Sequence, residues 1–224
     1  MQFTAEDPAF DGMNWYSYCG NNPGNYFDAS GECYYDSNGN WSHDNWEFTG
    51  HYQRKDAPAR LISVDDLNEM GFKNVTQESA DELNKTLNDY QIYDFVDICQ
   101  FLAQCAKETN FGTWLTEYGG KEYFDKKAYG YKYRGAGYIQ LTWDYNYKKF
   151  SEAMGDYAIY TQGADYVAEN YAWQVAGWFW KNNNISYKIE HGATVKDITK
   201  KVRGSFGTWE ERQKYYDMIY EVLL

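Results

Sequence analysis

Apolar positions recur every three or four residues along most of the second part of the chain. In "YDFVDICQFLAQCAKET" the residues Phe95, Ile98, Cys99, Leu102, Cys105 and Ala106 form one apolar stripe, the strongest helical signal in the sequence. "TQESADELNKTLNDY" repeats the pattern with Ala80, Leu83 and Leu87, behind Thr76 as a candidate N-cap. "SVDDLNEMGF" has Ser63 as N-cap, an acidic first turn and Gly71 as a stop. "ADYVAENYAWQVAGWFWKNN" is apolar on nearly all sides and predicts a single helix crossing the core. The terminal "TWEERQKYYDMIYEVLL" predicts an amphipathic helix with Arg212, Tyr216, Ile219 and Tyr220 at helical spacing. Strand signals after residue 57 are few. The expected fold class is therefore mainly α.

The texture changes near residue 57. Residues 1–56 are rich in Asn, Gly, Asp, Tyr and Trp and show no helical period, so they predict turns and short strands. Two domains are expected: an aromatic N-terminal segment over 1–56, serving as an extension or small glycan-binding appendage, and a helical domain over 57–224. Within the first, Asp36, Asn38, Asn40, Ser42, Asp44 and Glu47 are spaced like a calcium loop. Trp41 stands where such a loop needs glycine, so a chain of Asn/Gly turns fits better and no metal is expected. "YYDSNGNW" resembles one degenerate aromatic repeat of bacterial wall-binding modules. Trp15, Trp41 and Trp46 are candidates for glycan contact there, or simply brace the rest.

Composition narrows the partners. The 224 residues carry a net charge of −12, which argues against nucleic acid and against anionic membranes. No run is long and apolar enough to span a bilayer, and "MQFTAEDPAF" lacks the features of a signal peptide. Aromatic residues make up 20% of the chain, with 24 Tyr and 9 Trp, so some rings must lie on the surface, either as a binding face or as a Tyr-rich surface without a ligand. A Cys19–Cys33 bridge would close a short loop if the protein is secreted. Cys99 and Cys105 lie on different helical faces and are expected to be buried thiols.

Candidate chemistry clusters after the strong helix. Glu108 sits at its end, and a carboxyl there is partly desolvated, which suits a proton donor. Glu117 follows in "WLTEYGG", past Asn110, Gly112 and Trp114, where the helix should break. A carboxylate on a polar loop suits a base acting on water, and glycoside hydrolysis uses such a pair. "YKYRGAGYIQLTWDYNY" then mixes amides, a hydroxyl and rings. A sugar cleft uses both, because a pyranose offers apolar faces to rings and hydroxyls to amides.

The ordered segments "FLAQCAKETNFGTWLTE", "YRGAGYIQLTWDYNY", "AGWFWKNN" and "ITKKVRGSFGTWEERQKYYD" resemble glycoside hydrolase family 19, the chitinase-like family that includes wall lysins. The resemblance covers residues 60–224. It implies a lysozyme-like, two-lobed helical domain with a cleft, acting without a cofactor as a monomer on chitin or peptidoglycan outside the cell. It implies Glu108 as general acid, Glu117 as general base and Thr142 as the hydroxyl holding the attacking water. Gln140, Asn146, Tyr133 and Trp143 become candidate substrate contacts, together with Arg212, the basic residue near the second Glu. The family departs from this chain at Lys107, where His is common, and at Arg203, where a substrate-binding Asn is common. Ala136 and Tyr138 also replace its usual Arg and Pro. Lys107 is expected to be solvated. A glycan binder without turnover is the reading these departures motivate.

Overall fold

The computed structural model describes residues 61–224 and, ahead of them, two short strands. Strands β1 (Cys33–Tyr35) and β2 (Trp41–His43) pair antiparallel, with Cys33 opposite His43 and Tyr35 opposite Trp41. The proposed calcium loop, the Cys19–Cys33 bridge and the glycan contacts of Trp15, Trp41 and Trp46 lie outside the described side chains. The chain divides into two units, residues 1–58 with 93–95, and residues 59–92 with 96–224.

The described helices are α1 (Val64–Glu69), α2 (Gln77–Asp89), α3 (Phe95–Thr109), α4 (Lys121–Phe124), α5 (Asp144–Met154), α6 (Ala158–Gln162), α7 (Ala164–Asn170), α8 (Gln174–Asn182), α9 (Ile185–Glu190), α10 (Val195–Arg203) and α11 (Trp209–Leu223). The mainly α expectation holds. Ser63 starts α1 with a reciprocal capping box: its Oγ accepts from the Asp66 N–H at 3.0 Å, and Asp66 accepts from the Ser63 N–H at 2.8 Å. Gly71 follows the helix at φ +91°, a conformation that favours glycine. Thr76 caps α2 through Ser79 N–H at 3.1 Å.

Helix α3 is the centre of the core. Ile98, Cys99, Leu102, Cys105 and Ala106 are buried as the stripe predicts, but Phe101, Ala103 and Gln104 on its other sides are buried too. Other elements therefore cover it all round. Ala80, Leu83 and Leu87 of α2 are fully buried, and each leucine contributes roughly 1.5–3 kcal/mol relative to exposure. Helix α2 approaches α8 closely at Gly177, where a Cβ would lie 2.2 Å from the Tyr90 ring and 2.6 Å from the Thr86 methyl. Trp180 of α8 donates to buried Asp97 at 2.7 Å and meets Phe101 edge-on.

The single helix predicted over 164–183 is instead two, α7 and α8, broken at residues 171–173. The apolar pattern runs through the break without a stop. A tertiary bond decides it: the Ala172 carbonyl accepts from the Tyr138 N–H at 2.9 Å, and Trp173 stacks face to face on Tyr138. Gly137 permits this approach, since a Cβ there would lie 2.9 Å from the Ala172 oxygen and 2.2 Å from Val175. The site segment 135–141 is thereby seated on the α7–α8 corner.

Candidate active site

Helix α3 ends where the chemistry was expected. Thr109 seals it: its hydroxyl donates to the Cys105 carbonyl at 2.7 Å and accepts from the Gly112 N–H at 2.8 Å. Asn110, Phe111 and Gly112 then take positive φ of 50°, 56° and 77° and turn the chain out of the helix. Glu108, one residue inside this end, keeps 19% of its side chain exposed. Its Oε1 accepts from Arg212 Nη2 at 2.5 Å. Arg212 is itself only 2% exposed and gives Nη1 to Gln104 Oε1 at 2.5 Å.

This corrects the expected place of Arg212. It bonds to the first Glu rather than the second. Gln104 and Glu108 are one turn apart on the same face of α3, so their oxygens match the two ends of one guanidinium on the facing helix α11. Gln104 also donates to Thr199 Oγ1 of α10 at 3.4 Å, so three helices converge behind Glu108. Burial, then the nearby Glu108 charge, push the Cys105 thiol well above its ordinary range, and Cys99 and Cys105 are buried and form no disulfide, as expected.

Glu117 is positioned by a small antiparallel lattice. Thr116 bridges Ala136, and Ala136 bridges Leu141. The Glu117 N–H donates to the Gly135 carbonyl at 2.8 Å, and Gly137 N–H returns to Leu115 at 2.8 Å. Its carboxylate accepts from Tyr129 Oη at 2.9 Å on Oε1 and from Gly135 N–H at 3.2 Å on Oε2. Gly135 is closely approached: a Cβ there would meet the end of the Gln140 side chain, Oε1, at 2.6 Å and Glu117 Cβ at 3.3 Å. Glu117, Gly135 and Gln140 are therefore in close contact.

The same lattice brings the polar floor together. Gln140, at φ +52°, donates from Nε2 to the Gly137 carbonyl at 3.1 Å. Thr142 Oγ1 donates to the Gln140 carbonyl at 2.9 Å, and Asn146 Nδ2 donates to the Thr142 carbonyl at 2.8 Å. With those protons committed, the hydroxyl oxygen of Thr142 and the amide oxygens of Gln140 and Asn146 stand as acceptors for ligand or water. Trp143 enters α5 at φ +82° and is 38% exposed; Tyr145, 53% exposed, stacks beside it. Trp143 N–H bonds the Tyr133 carbonyl at 3.0 Å, and Tyr133 stacks on Tyr160 at 5.5 Å. The structure thus gathers Glu117, Tyr133, Gln140, Thr142, Trp143 and Asn146 in one network, and Glu108 with Arg212 in another, joined by the short 109–116 connection.

The departures resolve differently from each other. Lys107 is not a free solvated cation: it pairs with Glu211 of α11 and holds that carboxyl below its usual range. Arg203 is exposed at the end of α10, with Nη1 on Ser205 Oγ at 3.3 Å. Tyr129 and Gln104, which contact Glu117 and Arg212 directly, carried no sequence signal beyond their residue type. Among the described residues no cluster of His, Cys, Asp and Glu is arranged to hold a metal ion, and no helix is long and apolar enough to cross a membrane.

No family model matches the chain. Comparison with individual proteins is more informative. An endochitinase of Arabidopsis thaliana is 30% identical over 118 residues, covering 47% of this chain and 43% of the relative. A glycosyl hydrolase family 19 domain-containing protein of Haemophilus influenzae is 32% identical over 94 residues, covering 41% and 43%. The matches span less than half the length of these relatives. Among solved structures, chitinase C from Streptomyces griseus superposes with a TM-score of 0.60 at 20% identity, over 75% of this chain and 95% of that one. A class IV family 19 chitinase from Zea mays gives 0.57 at 20% identity, over 73% and 92%. The chain is thus similar to glycoside hydrolase family 19, in sequence to named members and in fold to its chitinases.

Proposed function

We propose that the protein hydrolyses β-1,4 bonds of polymers containing N-acetylglucosamine, with inversion at the anomeric carbon. The observation that supports this reading is that two carboxyls nine residues apart in the chain are differently housed, the second of them beside a polar floor. Glu108 sits on a half-buried helix end with one oxygen held by Arg212, and Glu117 sits on a loop lattice beside Gln140 and Thr142.

In the reaction, Glu108 gives its proton to the leaving glycosidic oxygen. Arg212 occupies Oε1, so the transferable proton belongs to Oε2, which has no partner among the described residues. As the C1–O bond breaks, water attacks C1 from the opposite face and passes its proton to Glu117. Inverting hydrolases separate the carboxyls by about 6.5–9.5 Å to admit that water. Thr142 accepts a hydrogen bond from it. Gln140 and Asn146 bind sugar hydroxyls or N-acetyl groups, and Tyr133 and Trp143 present rings to the pyranose faces. The step needs no cofactor. The product's new reducing end is the α anomer when first released, which proton NMR during the first turnovers reads directly. A β product would reject the single-displacement reading.

Neutral chitin is the substrate favoured by the charge of −12. Peptidoglycan is the second reading, favoured by the short connection between Glu108 and Glu117, which resembles compact lysins. Secretion, action as a monomer, and glycan contact by residues 1–56 belong to the same proposal. Truncation before Ala57 tests the last of these, since unchanged affinity for insoluble polymer would dispose of it. The engagement of Lys107 by Glu211 removes one of the two reasons for a binder without turnover.

A further inference from the structure

We infer that Tyr129 is a positioning residue for Glu117, holding its carboxylate in the orientation that receives the proton of water. The inference rests on the reading of Glu117 as base. Tyr129 lies in "DKKAYGYK", residues 125–132, to which the family resemblance assigns no role. Its Oη donates to Glu117 Oε1 at 2.9 Å, while Gly135 N–H donates to Oε2 at 3.2 Å. One donor on each oxygen fixes the rotation of the carboxylate about its last bond. Each oxygen keeps lone-pair capacity for a water.

Tyr129 is itself held. Its ring meets Trp143 nearly edge-on, with centroids 5.3 Å apart and planes at 77°, and lies 6.5 Å from the fully buried Phe124. The main chain of Trp143 is in turn anchored, its backbone N–H donating to the Tyr133 carbonyl at 3.0 Å. The hydroxyl is thus aimed by rings on two elements rather than by a flexible stem. Burial, and then the bond to Glu117, raise the phenol to about 12, so it remains a proton donor throughout any working range. Nothing else in the described segment 125–133 reaches Glu117 by a hydrogen bond.

Tyr129→Phe removes the hydroxyl and keeps the ring packing. On chitin oligomers, kcat is expected to fall about tenfold to a hundredfold, the range for losing one hydrogen bond to a charged group, with KM within about threefold. The acid limb of the pH profile should move to higher pH, because the carboxylate loses a donor that favours its charged form. A merely structural tyrosine would lower the melting temperature and leave that limb in place. Carbon-13 NMR of the Glu117 carboxyl, identified by its absence in Glu117→Gln, gives a readout independent of turnover. Its titration should move to higher pH in Tyr129→Phe. An unmoved titration overturns the inference whether or not the protein is active. Full turnover by Glu117→Gln would instead defeat the reading of Glu117 as base and leave the NMR test standing.

Discussion

Arg212 is the residue that holds Glu108 in place. Its guanidinium joins Gln104 and Glu108 while almost wholly out of water. Replacing it with Ala leaves the partly buried Glu108 carboxyl and the buried Gln104 amide without their donor, and each buried polar group so stranded costs about 1–3 kcal/mol. Urea denaturation should show that loss, with Arg212→Lys intermediate because an ammonium cannot span both partners. Gly135 makes the complementary prediction. A Cβ there would lie 2.6 Å from Gln140 Oε1, the end of a flexible chain, so Gly135→Ala should lower kcat by displacing Gln140 while shifting the melting temperature little. The residues with these roles were unequally legible. Glu108, Glu117, Gln140 and Thr142 stood in recognisable motifs. The partner of Arg212 did not, because order along the chain says nothing of which helix face an arginine will meet. Tyr129 was one tyrosine among 24, and only the lattice around Gly135 singles it out.

At the scale of elements, the end of α5, the start of α6 and both the body and the C-terminal end of α7 are clasped by Asp156. Its Oδ2 accepts from Tyr166 at 2.8 Å and Tyr171 at 3.0 Å, and its Oδ1 from the Ala158 N–H at 2.8 Å. The Tyr166 bond first, then the Ala158 N–H, hold this carboxyl below its usual range. A depressed folded value gives stability that is present above the unfolded value of about 3.9 and lost as pH falls through the folded one. The melting-temperature gap between wild type and Asp156→Ala should therefore be widest near neutrality and close in acid. A gap unchanged at pH 2 would mean that the clasp is not electrostatic. Caps were the most readable features at this scale: Ser63 and Thr76 begin helices where the sequence places them. Thr194 and Asp197 form a capping box of the same kind at α10, a T-x-x-D signal that marks the start of that helix. The break between α7 and α8 was not readable, because the bond that makes it comes from Tyr138, far away in sequence.

At the scale of the whole molecule, the helical body resembles chitinases over about three quarters of the chain, whereas the sequence matches are shorter. Mainly α architecture was legible from periodicity; the arrangement of its helices came from resemblance, since periodicity carries no topology. The net charge adds a prediction about substrate. Attraction or repulsion between this acidic protein and an anionic wall polymer is screened by salt, while a neutral polymer is indifferent to it. Turnover of peptidoglycan should rise as ionic strength increases from low values, and turnover of chitin oligomers should stay flat. The measurement that bears most directly on the account compares wild type with Glu108→Gln on soluble chitin oligomers and on purified peptidoglycan, with products identified by mass. The account predicts shortened oligomers from wild type, none from the variant, and oligomer binding intact in both. Wild type that binds the oligomers and releases nothing from either polymer would contradict it and leave a glycan-binding protein in a hydrolase fold.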